Sequence, residues 1–454
     1  MLFWTNHPVA RPRRRLFFRP LSLLLWLPVL LLGACGKQQT LQALFQPRTP
    51  HEAYAHRLRQ AGLDRGPAGR AWLAAAAQAL RDSLVVALPF TETGYFLPGQ
   101  PTAAGYRFAV QAGEQVRVRL ELAPGSTARV FVDAFEVGPG GAPAPLASAD
   151  TAALDFRYRA TASGQHLLRV QPELLAAGRY TLRLTREPGL GTFPVQGRAD
   201  ADIGSFWGAG RDGGARRHEG IDIFAPRGTP AVAAAAGTVT RLGTTPLGGN
   251  VVWLSADGTG EHLYYAHLDR QLVTPGQRVR PGDTLGLVGN TGNARTTAPH
   301  LHFGIYRAGQ GAVDPLPFVR RASPAAAPPT GPDLRGAWVR LRAAGPLESK
   351  AGTQASGPRL AAQTPLLVLG QQGPLLRVRT AAGRRGYVAA AAVRPAEAAP
   401  LRRLLLPAAT EVAALPAAAP VAAWPARTPV AVLGEANGFS LLRGPAGALG
   451  WARI

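Results

Sequence analysis

PHLHF, residues 299–303, sets two histidines two positions apart in an apolar frame. Side chains along a strand alternate between its faces, so His300 and His302 share one face while Leu301 and Phe303 share the other. A buried imidazole is costly unless it is satisfied, so two in phase point to a common polar cavity. HEGIDI (218–223) adds His218 and Asp222, four apart, and Gly220 with the β-branched Ile221 and Ile223 favours a strand there. YYAHL (264–268) adds His267 in another β-like run. His262 lies five residues from His267, on the opposite face of one strand, and is set aside. His166 has no partner in the sequence, and His51 and His56 read as surface residues.

A divalent metal suits this inventory. A catalytic zinc takes three protein ligands from His nitrogen and carboxylate oxygen, plus a water. Cys35 is the only thiol, which excludes a cysteine-rich metal site and a cysteine peptidase. Ligand type alone leaves iron and manganese open beside zinc. Glu219 follows His218, but no HExxH is present, so a helical zincin is excluded; GNTGN (289–293) lacks the Lys-Ser/Thr pair of a P-loop.

The remainder of the 454 residues frames this stretch. A hydrophobic share of 46% with 17% charged residues is globular, and 53 Gly and 41 Pro indicate turns, short strands and linkers. The net charge is +23, carried almost wholly by Arg spread along the chain. No basic stripe or nucleic-acid module accompanies it, so nucleic acid is not an expected partner, whereas anionic envelope polymers attract such a chain. Residues 1–35 read as a secretory leader: a basic region, then the apolar run Leu21–Leu32, too short to span a bilayer. LLGAC resembles a bacterial lipobox, which implies a lipoprotein signal peptide, a diacylglyceryl anchor on Cys35, and a membrane-anchored place in the cell envelope, periplasmic or at the outer membrane.

Residues 36–88 read as a tether and two helices, 51–63 and 67–88. From 89 to 188 the apolar period changes to two, as an antiparallel β-sandwich requires. Residues 192–320 carry the histidines, and 321–333 is a Pro/Ala linker. An internal repeat follows, at 334–396 and 399–454. TPLLVLG (364–370) recurs as TPVAVLG (428–434), and GYV (386–388) as GWA (450–452), both at an offset of 64. Each repeat resembles a bacterial SH3-like barrel. Tyr387 and Trp451 occupy equivalent places, as substrate-holding aromatics or as barrel cores. A chain ending near Pro329 is expected to fold without the barrels.

Taken in order, HEGIDIFAPRGTPAVAAAAGTV (218–239), YYAHLD, GQRVRPGDTLGLVGNTGN (276–293) and PHLHFGIY resemble the lysostaphin/LytM-type zinc metallo-endopeptidases of peptidoglycan. The resemblance implies one zinc per chain held by His218, Asp222 and His302, with His267 and His300 as the catalytic pair. It implies a mostly antiparallel β domain with a groove, hydrolysis of peptide cross-links, and peptidoglycan and envelope regulators as partners. The expected fold is mostly β and multidomain: sandwich, metallopeptidase domain, two small barrels and short N-terminal helices. ARTTA (294–298) stands where the family often has Ser-Thr-Gly, and Gly304 where it often has Glu; these touch substrate preference rather than ligands. The alternative is a non-catalytic peptidoglycan-binding or amidase-activating lipoprotein, and a third reading is a structural wall anchor.

Overall fold

The N-terminal helices show how this sequence is read locally. They run Pro50–Gln60 and Pro67–Arg81 in the computed structural model, which describes residues 48–138, 140–321, 332–349, 357–416 and 418–454. Cys35 and the leader lie outside the described residues. The second helix starts with Pro67 at its first turn, where a missing N–H costs nothing. It stops at Arg81, short of the expected 88, because Leu84–Val85 leaves to pair in parallel with the strand Ala104–Val110. The helix lies so close to that strand that a Cβ on Gly105 would sit 1.8 Å from the Ala79 carbonyl oxygen.

His51 is buried, contrary to the surface reading. The inner face of the first helix is His51, Ala55 and Leu58, a helical period that the His51/His56 spacing conceals. Its ring stacks on Trp72 at 4.8 Å, and Nε2 meets Gln171 Oε1 at 2.8 Å. Burial, then the Arg169 charge, pushes its pKa down to about 4. His166 is also buried and finds its partner in the Tyr158 hydroxyl, 3.0 Å from Nδ1.

Two sheets face each other over Phe90, Tyr106, Phe108, Val116, Val118, Leu168, Leu182 and Leu184. One is five-stranded, with Gly164–Pro172 at its centre. The other does not end at the sandwich. Its strand Phe90–Phe96 pairs antiparallel with Pro365–Gln372 of the first repeat, so nine strands form one sheet. At that seam Glu92, fully buried, accepts from Arg377 Nε at 2.9 Å and from the Tyr106 hydroxyl at 2.7 Å. Arg377 Nη2 donates to Tyr180 Oη at 3.0 Å, and the Tyr387 hydroxyl reaches Glu92 Oε2 at 3.4 Å. Burial opposes the Arg377 charge, yet Glu92 holds its pKa above the ordinary arginine value.

Tyr387 is therefore a core residue of the seam rather than a substrate platform. Trp451 is buried too, its ring 5.2 Å from that of Trp338. The repeat is one of backbone geometry: left-handed Gln363 and Arg427, and a register shift at Val368/Gly370 and again at Val432/Gly434. The expectation that a chain ending near Pro329 folds alone conflicts with this seam, because the truncation removes Arg377 and leaves Glu92 buried without its cation.

The third region is a ten-stranded sheet whose inner strands are Ile221–Phe224, His300–Arg307, Glu261–Gln271, Gly249–Ala256 and Gly237–Thr245. Ile221, Ile223, Leu263, Tyr265, Leu301, Phe303 and Ile305 fill its core. Buried Glu261 ties it to the sandwich, bonded by its own Arg307 at 2.9 Å and by Arg159 of the sandwich at 3.0 Å.

Breaking the Glu92–Arg377 pair from one side strands a buried charge. Arg377→Met is expected to lose about 3–5 kcal/mol of stability, with most of it restored in Glu92→Leu/Arg377→Met. Urea unfolding of the two variants checks this; equal losses in both would show that the charges do not hold the seam.

Candidate functional site

Register builds the site. The strand Ile221–Phe224 runs antiparallel to His300–Arg307 with Asp222 opposite His302 and Phe224 opposite His300. Directly opposed residues share a face, so the carboxylate and the imidazole meet, while Ile221, Ile223, Leu301 and Phe303 turn into the core. His218 arrives from the turn before the strand. Gly220 makes the turn possible: a Cβ there would lie 2.6 Å from the Phe303 carbonyl oxygen and 2.7 Å from the His302 ring.

Three atoms converge. His218 Nε2 lies 3.0 Å from Asp222 Oδ1 and 2.9 Å from His302 Nδ1, and His302 Nδ1 lies 3.0 Å from the same Oδ1. The ring of His218 is held through Nδ1, whose proton is donated to the Phe206 carbonyl oxygen at 2.9 Å, so Nε2 presents a lone pair. A single proton on His302 Nδ1 satisfies the triangle without metal; a cation replaces that proton. Ligands about 2.0–2.2 Å from a tetrahedral ion are about 3.3–3.6 Å apart, so the donor set fits zinc if the three atoms spread by about half an ångström. The other carboxylate oxygen is engaged: Arg211 Nη2 donates to Asp222 Oδ2 at 2.6 Å and to Ser205 Oγ at 2.7 Å. Burial works against charge on Asp222, but the His218 and His302 imidazoles beside it hold its carboxyl well below the usual carboxylate range.

His267 and His300 stand beside this triangle, their ring centroids 5.0 Å apart. Each is anchored through Nδ1 to a backbone carbonyl, His267 to Thr291 at 2.9 Å and His300 to Ala298 at 2.8 Å, leaving Nε2 free. His300 Nε2 is 4.0 Å from Asp222 Oδ1. His267 has φ 62°, a left-handed conformation that a bulky residue rarely adopts. That break in the strand, rather than simple alternation, aims its ring. Burial, then the neighbouring His300 and His302, pushes the His267 pKa down to about 4, and burial lowers that of His302 as well.

The cleft above is about 840 Å³. Trp253, Tyr264 and Tyr306 form one wall, with Trp253 4.6 Å from Tyr264 and 5.1 Å from Tyr306. Arg211, Arg216 and Arg217 also line it. The structure thus brings together all five histidine and aspartate positions singled out in the sequence. Sequence reasoning missed Arg211 and the aromatic wall. The run of arginines ahead of His218 was the available signal for Arg211, while the aromatics lie on separate strands and left none.

A β domain with His and Asp donors converging on one point, beside two free imidazoles, defines a metallopeptidase class of site. Residues 216–315 match peptidase family M23, and this region of the chain is of the LytM/lysostaphin type. An L-Ala–D-Glu endopeptidase of Bacillus subtilis is 36% identical over 139 residues, 28% of this chain and 42% of its own length. Peptidoglycan DD-endopeptidase ShyC of Vibrio cholerae is 42% identical over 88 residues, 19% of this chain and 20% of its own. The chain thus spans less than half the length of these curated relatives. The catalytic domain of the antimicrobial peptidase lysostaphin from Staphylococcus simulans is 33% identical, covering 26% of this chain and 90% of that one, with a TM-score of 0.24.

His51 and His267 are each held to about 4, against an ordinary 6.5, so the folded chain binds fewer protons than the unfolded chain between those values. Their contribution is complete above about pH 6.5 and is lost as pH falls to about 4, by up to about 3 kcal/mol for each. Urea unfolding of the metal-free protein across that window checks this. His267→Gln is expected to reduce the loss, and a flat profile would contradict it.

Proposed function

We propose that the chain is a zinc metallo-endopeptidase hydrolysing peptide cross-links of peptidoglycan in the bacterial envelope. The observation that carries this reading is the triangle of His218 Nε2, Asp222 Oδ1 and His302 Nδ1, with two anchored imidazoles beside it. The relatives, an L-Ala–D-Glu endopeptidase and a peptidoglycan DD-endopeptidase, support the substrate class. His218, Asp222 and His302 would hold zinc, which supplies Lewis acidity toward the scissile carbonyl and an acidified water. Arg211 keeps Asp222 to a single donor oxygen. His267 and His300 are fixed through Nδ1, so each offers Nε2 to the cleft without reorientation. A depressed pKa keeps His267 neutral at physiological pH, able to accept a proton from the attacking water. The pair then returns a proton to the leaving amine or steadies the oxyanion.

The amidase-activator reading requires lost ligands, and none of the five positions is lost. The lipid anchor on Cys35 and the envelope location belong to the same proposal; LLGAC and the single cysteine support them. The repeats are proposed as SH3-like modules for wall or regulator binding, by surfaces other than Tyr387 and Trp451.

Elemental analysis of the purified chain is expected to find about one zinc per chain. His302→Ala is expected to lose metal and activity together. His300→Ala is expected to keep metal and lose about 10²–10⁴ in rate on purified sacculi. Full zinc in His218→Ala/Asp222→Ala would remove the ligand assignment, and normal digestion by His300→Ala would remove its catalytic role.

A further inference from the structure

One loop carries the carbonyls that anchor both free imidazoles. It opens with GNTGN and runs from Gly289 to His300, closed at its base where His300 N–H donates to the Gly289 carbonyl at 3.0 Å. The Thr291 carbonyl holds His267, and the Ala298 carbonyl holds His300.

The two halves of the loop are held differently. In the first, the Thr291 hydroxyl donates to the Leu268 carbonyl at 2.9 Å and accepts from the Asn250 N–H at 3.0 Å. Asn293 N–H adds a bond to the Leu247 carbonyl at 3.1 Å. These tie the His267 anchor to neighbouring strands. In the second half, residues 295–298 are exposed. Thr297 bonds back to the Ala294 carbonyl through its N–H and its hydroxyl, which turns the chain within the loop. Apart from the His300 bond itself, the hydrogen bonds that tie 295–298 to anything outside this turn, among the described residues, come from one side chain. Asn290 Nδ2 donates to the Arg295 and Thr297 carbonyls, each at 3.3 Å.

That amide has a fixed orientation. Its Oδ1 accepts from Arg227 Nη2, and Arg227 Nη1 is paired with Asp269 Oδ1. With the oxygen on a guanidinium, only N–H groups face the loop. The Thr297 and Ala298 carbonyls belong to consecutive peptide units, so holding the first aims the second. Pro299 narrows Ala298 to an extended conformation and leaves it little freedom to compensate.

We propose that Asn290, oriented by Arg227, is a positioning residue for His300. It holds the exposed half of the loop so that the Ala298 carbonyl keeps the His300 proton on Nδ1 and leaves Nε2 open to the cleft. The effect on rate rests on the cleft being a peptidase site; the hold on the ring does not.

The test compares Asn290→Ala and Asn290→Asp with the unmutated chain, all full-length and zinc-loaded. Asn290→Asp keeps the shape and the pairing with Arg227 but has no proton to give the two carbonyls. Both variants are expected to keep zinc and thermal stability. On soluble cross-linked muropeptides both are expected to lose about tenfold to a hundredfold in kcat, with KM changed less than about threefold. Nitrogen-15 spectra of labelled histidine, with His300 assigned by its loss in His300→Ala, are expected to show the Nδ1–H form in the unmutated chain and a mixture of tautomers in both variants. The His267 signals are expected to stay unchanged, because that anchor is held by Thr291. An Asn290→Asp variant with normal kcat and an unaltered His300 spectrum overturns the proposal, as does a loss of zinc or stability in step with rate. If the unmutated chain cuts no muropeptide, the peptidase reading fails, and the His300 spectrum still decides the positioning role.

Discussion

The opposition of Asp222 to His302 across two antiparallel strands is the constraint on which the site depends. A shift of one residue in that register would move His300 and His302 to the core face and bring Leu301 and Phe303 into the cleft. The register is held because the other face is fully committed, with Ile221, Ile223, Leu301 and Phe303 packed in one core. Hydrophobic packing on one side of the sheet thus fixes polar geometry on the other to within the few tenths of an ångström that metal ligation requires. Second anchors refine this. Backbone carbonyls at Phe206, Thr291 and Ala298 hold His218, His267 and His300 through Nδ1, and Arg211 holds the carboxylate.

The regions of the chain are joined by buried ions rather than by apolar contact alone. Glu261 is shared between Arg159 of the sandwich and Arg307 of the peptidase domain, and Glu92 is bound by Arg377 of the first repeat. Such pairs are weak evidence for net stability, but removing one partner is severe. Their consequence is dependence: the sandwich sheet is completed in part by a strand nearly two hundred residues beyond its own last strand, from the far side of the peptidase domain. Glycine permits that seam, since a Cβ at Gly370 would lie 2.8 Å from Glu92 Oε1.

What could be read without coordinates followed from local period. Alternation placed His300 and His302 on one face, and short spacing joined His218 to Asp222. The offset of 64 between TPLLVLG and TPVAVLG marked a repeat, and the structure adds that Gln363 and Arg427, at the same offset, are both left-handed. Periods also misled where two were available: His51 was judged against His56, while the buried face runs His51, Ala55, Leu58. The end of the second helix was misplaced because Leu84 continues a helical stripe yet belongs to a strand.

The sequence by itself determined which residues could hold a metal and that Asp222, His300 and His302 lie on strands; residue type and alternation are written in the order of residues. Only the tertiary structure decided that Arg211 closes one oxygen of Asp222 and that Tyr387 belongs to a seam with the sandwich. Each of these depends on distance between segments remote in sequence, or on a backbone reversal such as the left-handed His267, and neither has a local period to announce it.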